Sequence, residues 1–121
     1  MAYLGLSRRA LLDIEEIERL SVQQRGHRVA DEYLDSIEDA LARLREKPDL
    51  LRTKPEISRH FSVYRVRQHF LVGVLIGQNV YVLAVRHGMM DLPNRLAELE
   101  PQLLAEAELL HRTFLAKSSR K

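Results

Sequence analysis

The sequence predicts one α+β domain, in which an antiparallel helical hairpin packs on an antiparallel sheet and a further helix ends the chain. Two stretches with apolar residues at helical spacing come first, three stretches rich in β-branched and aromatic residues follow, and another helical stripe comes last. A chain of 121 residues supports one hydrophobic core but not two independent ones. We therefore expect a domain over residues 1–99 and a C-terminal helical extension of the same domain over residues 100–121.

The composition excludes several classes of protein. The chain has no cysteine, which rules out a disulfide framework, thiol catalysis and cysteine-ligated metal centres. No apolar run reaches the roughly 18 residues that a membrane-spanning helix needs. The first ten residues lack the basic and then apolar order of a secretory signal. We therefore expect a cytoplasmic protein that has no membrane partner.

Charge is distributed unevenly along the chain. Residues 1–42 carry 5 Arg and 9 Asp or Glu, whereas residues 43–88 carry 9 Arg or Lys and 3 Asp or Glu. A basic middle segment favours a polyanion or an acidic partner. The alternative is that these charges are solvated and pair with the acidic first third.

The first elements are a short strand and a helix. Residues 3–6 are mostly apolar and predict a short N-terminal strand, and Ser7 fits the N-cap of the helix that follows. We expect this helix over residues 8–23. Its apolar side chains recur at steps of three: Leu11, Ile14, Ile17 and Leu20.

A second helix completes a hairpin. Gly26 lies in a short polar break, and apolar residues then follow helical spacing over residues 29–44. Pro48 ends the helix because the residue before a proline avoids helical angles. Two amphipathic helices joined at a glycine predict an antiparallel hairpin that needs a common surface to bury it.

Three strands supply that surface. After a loop over residues 49–56, the strand pattern covers residues 59–66, 69–76 and 80–87, with turns at 67–68 and 77–79. This order predicts a three-stranded antiparallel meander. The last two strands are apolar at both alternating positions, so both faces of the sheet should be covered.

The C-terminal third offers a cover for the second face. Asp91 fits a helix N-cap and Pro93 fits the first turn, while Pro101 predicts either a kink or two helices meeting there. The stripe could fold back on the sheet, pair with a second copy or receive a partner. Its apolar members are Leu96, Leu99, Leu103, Ala107, Leu110 and Phe114.

Basic and ionisable residues gather on the strands and just after them. Strict alternation puts Arg86 on the face of Val82, and His87 on the face of Leu83. Converging groups of this kind could cleave RNA without a metal, because His87 would move protons while arginines hold the phosphate. The alternative for each residue is a solvated strand end. The candidate residues are Arg59, Arg65, Arg67, His69, Arg86, His87 and Asp91.

Other chemistry has little support in the sequence. The five histidines have no recognised metal-ligand spacing, and there is no phosphate-binding glycine loop and no nucleophile elbow. We therefore expect no metal and no cofactor.

Two segments carry a resemblance to a known family. Residues 63–69, VYRVRQH, resemble a ParE-type Tyr-Arg-Val-x-x-His segment at the first hairpin turn. Residues 86–93, RHGMMDLP, followed by Arg95 and Leu96, resemble the ParE-type final strand that ends in His before Met-Asp and a helix. With the order of elements, residues 3–99 resemble the RelE/ParE superfamily, the toxins of type II toxin–antitoxin modules, also called plasmid stabilisation proteins.

The resemblance implies a bacterial toxin that a cognate antitoxin holds inactive, and a hetero-oligomer of the two is the assembly that it allows. ParE-like members inhibit DNA gyrase, and this branch is favoured. Target contact is then expected at Arg59, Arg67, His69 and Asp91.

Two alternatives come with the resemblance. RelE-like members cut messenger RNA on the ribosome, for which His87, Arg65 and Arg86 would be the catalytic set. No tyrosine follows the last strand, which weakens this alternative. The second alternative is an inactive relative that only binds its antitoxin. In every case we expect part of the antitoxin to fold onto Leu96, Leu99 and Leu103.

Overall fold

The computed structural model describes residues 2–88 and 91–118, and it confirms the α+β class. Among these residues, five strands form one sheet in the order β1-β5-β4-β3-β2. Strands β3, β4 and β5 form the expected antiparallel meander, while β1 pairs parallel to β5, so the sheet as a whole is mixed. The elements are β1 (Leu4–Leu6), α1 (Arg8–Glu46), a 3-10 helix (Pro48–Leu50), β2 (Arg52–Thr53), β3 (Ser62–Val66), β4 (His69–Ile76), β5 (Asn79–His87) and α2 (Leu92–Ser118).

Helix α1 reverses direction at one residue. Gly26 has φ 86° and ψ 171°, outside the helical range. A straight helix of 39 residues would be about 58 Å long. Yet the backbone N–H of Ala2 donates to the carbonyl of Arg45 at 3.0 Å, so the helix returns to where it began. The predicted hairpin therefore consists of a first arm, residues 8–25, and a second arm, residues 27–46.

Ser7 joins β1, α1 and β5. Its hydroxyl accepts from the N–H of Ala10 at 3.0 Å, which confirms the predicted N-cap, and donates to the carbonyl of Leu83 at 2.9 Å. One turn later, the Asp13 carboxylate accepts from the N–H of Val85 at 2.9 Å. Side chains at the start of α1 thus bond the backbone groups on the edge of β5 that β1 is too short to reach.

Helices cover both faces of the sheet. Helix α1 packs on one face, and the C-terminal stripe folds back on the other, with Leu96 and Leu103 buried there. Helix α2 is one helix through Pro101 rather than two meeting there. None of the described helices is long and apolar enough to cross a membrane. The α1-side core includes Ile17, Ile37, Leu44, Leu71, Val82 and Val85, and the α2-side core includes Phe61, Phe70, Val72, Tyr81, Leu83 and Ala84.

A β-bulge changes which face the end of β5 presents. Val72 pairs with Ala84 and Gly73 pairs with Val82, which leaves Leu83 as an extra residue. A Cβ at position 73 would lie 2.2 Å from the carbonyl oxygen of Tyr81, so only glycine permits this approach. Beyond the bulge the alternation is inverted.

The inversion corrects the expected alternation of the last residues of β5. His87 faces α1 with Val85 and Val82, whereas Arg86 faces α2 with Ala84. The sequence could not reveal this because no pattern marks the extra residue.

The meander begins later than predicted. Arg59 lies in a bend, and β3 starts only at Ser62. The Ser58 hydroxyl accepts from the N–H groups of His60 and Phe61 at 3.2 and 3.1 Å, so these donors bond locally instead of to a neighbouring strand. Strand β2 lies inside the segment that we expected to be a loop.

Candidate functional site

A cleft of about 490 Å³ opens where the two arms of α1 meet the β3–β4 turn and the end of β5. We call it the histidine cleft. Its lining combines three aliphatic side chains, two imidazoles, a tyrosine, two arginines and small polar groups, but no carboxylate. The lining residues are Ile17, Leu20, Ser21, Gln24, Arg25, Val29, Tyr33, Arg67, Gln68, His69 and His87.

Strand pairing places two imidazoles side by side in this cleft. His69 begins β4 and His87 ends β5, and the two residues are direct partners in the antiparallel register. Their ring centroids are 5.0 Å apart and the rings meet edge to face. The first hairpin turn and the end of the last strand therefore contribute to one site, because the pairing register brings them to the same end of the sheet.

The second arm of α1 holds His69 through a tyrosine. The Tyr33 hydroxyl lies 2.5 Å from Nδ1 of His69 and accepts from the backbone N–H of Gln68 at 3.3 Å. The tautomer of His69 decides which of the two groups, the Tyr33 hydroxyl or Nδ1, donates in this hydrogen bond. Burial, with a contribution from His87, lowers the pKa of His69 to about 4, so this imidazole is neutral at pH 7.

The β3–β4 turn is fastened to the same arm. Arg67 adopts φ 54°, and its Nε donates to the hydroxyl of Ser36 at 2.7 Å. The Arg67 guanidinium also lies 5.4 Å from the ring centroid of Tyr33. Burial raises the pKa of Tyr33, although the Gln68 hydrogen bond and the nearby arginines oppose it. The turn thus presents Arg67 and His69 in a fixed geometry.

Strand alternation directs Arg65 and Arg86 to the opposite face of the sheet, although the Arg65 side chain bends back to the β3–β4 turn, where its Nε donates to the carbonyl of Arg67 at 2.9 Å. Both pair with Phe70, which belongs to the α2-side core, and the Arg65 guanidinium is 5.6 Å from its ring centroid. The Nε of Arg86 is buried and bonds to none of the described residues. The structure therefore separates Arg65 and Arg86 from His87, although all three lie at the same end of the sheet.

The remaining candidates are dispersed. Arg59 is exposed before β3, whereas the cleft lies beyond the end of that strand. Asp91 is exposed at the start of α2, where its carboxylate accepts from the Asn94 side chain at 2.5 Å. Met89 and Met90 of the second motif lie outside the described residues.

The leucines expected to bind an antitoxin are part of the chain's own core. Leu96 and Leu103 are 1% and 0% exposed, and Leu99 is partly buried beside them. A contact with an antitoxin through these side chains stays a prediction, and it requires α2 to leave the sheet.

The main residue that sequence reasoning missed is Tyr33. Its position in the apolar stripe of the second arm suggested a core residue, which is half correct because its ring packs against the α1-side core. A buried tyrosine hydroxyl normally finds a partner, and that expectation was the available signal. No pattern pointed to Arg25.

The comparisons with known proteins give a family for most of the chain and solved structures of similar fold. Residues 4–92 match the family described as the ParE toxin of the type II toxin–antitoxin system parDE. A solved structure described as the chromosomal ParDE system from P. aeruginosa is similar, with a TM-score of 0.63 and 16% identity over 72% of this chain and 96% of that one.

A second solved structure, a mutant of the E. coli toxin RelE in the free state, is similar more loosely. Its TM-score is 0.48 and its identity 18%, over 88% of this chain and 95% of that one. A search of curated proteins gives no significant match.

Proposed function

The chain belongs to the ParE toxin family of type II toxin–antitoxin systems, and from this premise we propose that it inhibits DNA gyrase and is neutralised by a cognate antitoxin. The observation that carries the proposal is the family match over residues 4–92, which includes the first motif segment and residues 86–92 of the second. The ParDE likeness supports the fold alone, since its identity is only 16%. Under this proposal the protein acts by binding and is not itself an enzyme.

The contact surface that we propose is the end of the sheet beside the histidine cleft. Arg67 is exposed on the turn, His69 is held in place by Tyr33, and Asp91 is exposed at the start of α2. Arg59 lies apart from these residues and would need an extended contact. Side chains held by hydrogen bonds lose less entropy on binding, which favours Arg67 and His69 as the main contacts.

A supercoiling assay tests the proposal directly. Purified protein is mixed with gyrase, relaxed plasmid and ATP, and we expect lost supercoiling and trapped cleaved DNA that disappears on adding the antitoxin. Arg67→Glu should weaken the inhibition, while Arg45→Glu, at the far end of the second arm, serves as the matched charge reversal. Normal supercoiling at a large excess of the wild-type protein would contradict the proposal.

The histidine pair motivates a second candidate, a metal-independent endoribonuclease that acts on translating ribosomes. His87 would move protons and Arg67 would hold the phosphate, since Arg65 and Arg86 face away from His87. We expect His87→Ala to lose messenger cleavage while keeping its fold and its antitoxin binding. If that variant still cuts messenger RNA, the assignment is wrong. A protein that is harmless when expressed without antitoxin would favour an inactive relative instead.

A further inference from the structure

A second, smaller pocket lies between the second arm of α1 and the end of β3. Its volume is about 220 Å³, and three of its lining residues are arginines. We call it the arginine pocket. Asp39 is the one carboxylate among its lining residues, so the lining has an excess of two positive charges. The lining residues are Ser36, Asp39, Ala40, Arg43, Tyr64, Arg65, Val66 and Arg67.

Two of the guanidinium groups are already held in place. The Nε of Arg65 donates to the carbonyl of Arg67 at 2.9 Å, and the Nε of Arg67 donates to the hydroxyl of Ser36 at 2.7 Å. Each group also lies over an aromatic ring, at 5.6 Å from the centroid of Phe70 and 5.4 Å from that of Tyr33. These contacts use the Nε and one face of each group, and the terminal N–H groups bond to none of the described residues. An anion that accepts from those terminal groups therefore loses little binding energy to ordering the side chains.

The positive charge of the arginine pocket is not neutralised by the described part of the chain. No ion pair found among the described residues includes Asp39 or an arginine of the pocket. The basic middle segment is therefore not paired with the acidic first third at this place, and its charge is available to a partner. The ion pairs that do occur are Arg19–Glu16, His60–Glu100 and Arg112–Glu108.

The arrangement of the arginines suits a phosphate group. Arg65 and Arg67 come from the end of β3 and its turn, whereas Arg43 comes from helix α1. A planar carboxylate is satisfied by one guanidinium fork. The tetrahedral phosphate group directs its oxygens out of one plane, so donors that arrive from two elements can bind it together.

The charges around the arginine pocket favour a chain of linked phosphates. Exposed acidic residues cover the second arm of α1 before the pocket, from Asp31 to Glu38. In the other direction, Arg52 is exposed on the edge strand β2 and pairs with Val63, two residues before Arg65. Positive charge therefore continues about 7 Å along the sheet edge. A single free phosphate would use the pocket alone, whereas a backbone would also reach Arg52.

We propose that the arginine pocket binds a phosphate of a nucleic-acid backbone, which continues from the pocket towards β2. Phosphate contacts carry no sequence information, so binding is independent of the base sequence. The inference goes beyond gyrase inhibition because it concerns direct contact of this chain with nucleic acid. The pocket shares only Arg67 with the gyrase contact proposed above.

Fluorescence anisotropy with a short labelled DNA duplex tests the proposal. We expect the wild-type protein to bind with a Kd of about 1–100 µM near physiological salt, as backbone contacts typically do. Arg43→Glu and Arg65→Glu should each weaken binding by about tenfold or more. Each should also reduce the slope of log K against log salt concentration by about one, because one phosphate contact is lost.

Arg45→Glu is the matched control. Arg45 is exposed and does not line the pocket, and it lies two residues from Arg43 and about 200° around the helix. The change in net charge is identical. We expect the Kd to stay within about twofold, because salt screens exposed charges over about 8 Å. Circular dichroism melting of every variant establishes that it folds.

Arg52→Glu and inorganic phosphate distinguish a backbone from a free phosphate. Arg52→Glu should weaken duplex binding severalfold and leave the affinity for inorganic phosphate, measured by calorimetry, unchanged. If inorganic phosphate binds as tightly as the duplex and Arg52→Glu changes neither, the backbone assignment is wrong. A single-stranded RNA that binds equally and loses as much with Arg43→Glu would support the proposal and identify RNA as a source of the same phosphodiester.

Three other results would overturn the proposal. They are a wild-type protein that binds no duplex, pocket variants that bind like the wild type, and an Arg45→Glu variant that loses as much as Arg43→Glu. The last result would mean that net charge alone governs binding. Failure of gyrase inhibition would leave the anisotropy result intact, because this assay contains no gyrase.

Discussion

At the scale of single residues, the Tyr33 hydroxyl is the main hydrogen-bonding group that holds His69 in the cleft. It connects the second arm of α1 to both Gln68 and His69. We expect Tyr33→Phe to lower the free energy of unfolding by about 1–2 kcal/mol, because the backbone N–H of Gln68 and the half-buried ring of His69 each lose a hydrogen bond. Urea unfolding measures the change, and nitrogen chemical shifts of His69 report which ring nitrogen carries the proton in the wild type and in the variant.

Tyr64→Phe is the matched control for this prediction. Tyr64 is also partly buried against the α1-side core, but its hydroxyl makes none of the hydrogen bonds found among the described side chains. The removed atom is the same in both variants. Equal stabilities of the two variants would mean that the hydroxyl of Tyr33 contributes nothing beyond its ring.

The low pKa of His69 predicts a pH dependence of stability. The pKa is about 4 in the folded chain and about 6.5 when unperturbed. Between these values the unfolded chain binds more protons, so the free energy of unfolding falls as the pH drops from about 6.5 to 4. Since His69 is only half-buried, solvent screening reduces the effect to roughly 1–2 kcal/mol.

The difference between two variants isolates this contribution from other titrating groups. His69→Gln should flatten the decline, while His27→Gln, at an exposed position on α1, should leave it unchanged. Urea unfolding at pH 7, 6, 5 and 4 provides the comparison. Parallel curves for the wild type and His69→Gln would show that His69 titrates normally.

Only part of the candidate site could be predicted from the sequence, and the histidines, Arg86 and Tyr33 show why. Both motif histidines were found, because strand ends and turn lengths are readable from the pattern. The faces of Arg86 and His87 were not, because the bulge at Leu83 depends on a close approach of Gly73 to another strand. Contacts such as that of Tyr33 with His69 join residues 36 apart and have no local signature.

At the scale of elements, the hairpin of α1 depends on Gly26. Its φ of 86° and ψ of 171° lie in a region that essentially only glycine adopts. We expect Gly26→Ala to lower the free energy of unfolding by about 1–3 kcal/mol, even though no atom lies within 4 Å of the added methyl group.

Gln24→Ala is the control for the hairpin, since alanine favours the helical angles of the first arm. Urea unfolding should find that variant close to the wild type. If Gly26→Ala were equally neutral, the chain would be able to reverse elsewhere in α1. The sequence predicted a polar break of several residues here, and the structure confines the reversal to one, because glycine alone can make it.

At the scale of the whole molecule, helix α2 lies outside the family match but supplies part of the hydrophobic core. The family match ends at residue 92, where α2 begins. Yet α2 buries one face of the sheet, and its far end is held by a 2.8 Å hydrogen bond between the Tyr81 hydroxyl and Nδ1 of His111. Tyr3 and Phe114 pack nearby at a centroid distance of 4.6 Å.

Two adjacent leucines test whether α2 is a fixed part of the core. Leu103 is 0% exposed and Leu104 is 42% exposed. Leu103→Ala should lower the free energy of unfolding by about 2–5 kcal/mol, through lost burial and the cavity left behind, whereas Leu104→Ala should have little effect. Comparable small effects at both positions, measured by urea unfolding, would mean that α2 does not pack on the sheet in solution. The leucine stripe would then be accessible to an antitoxin as the sequence suggested. A large difference would mean that the leucine stripe is closed to an antitoxin in the folded chain, because displacing α2 would cost the antitoxin most of the energy that Leu103 contributes.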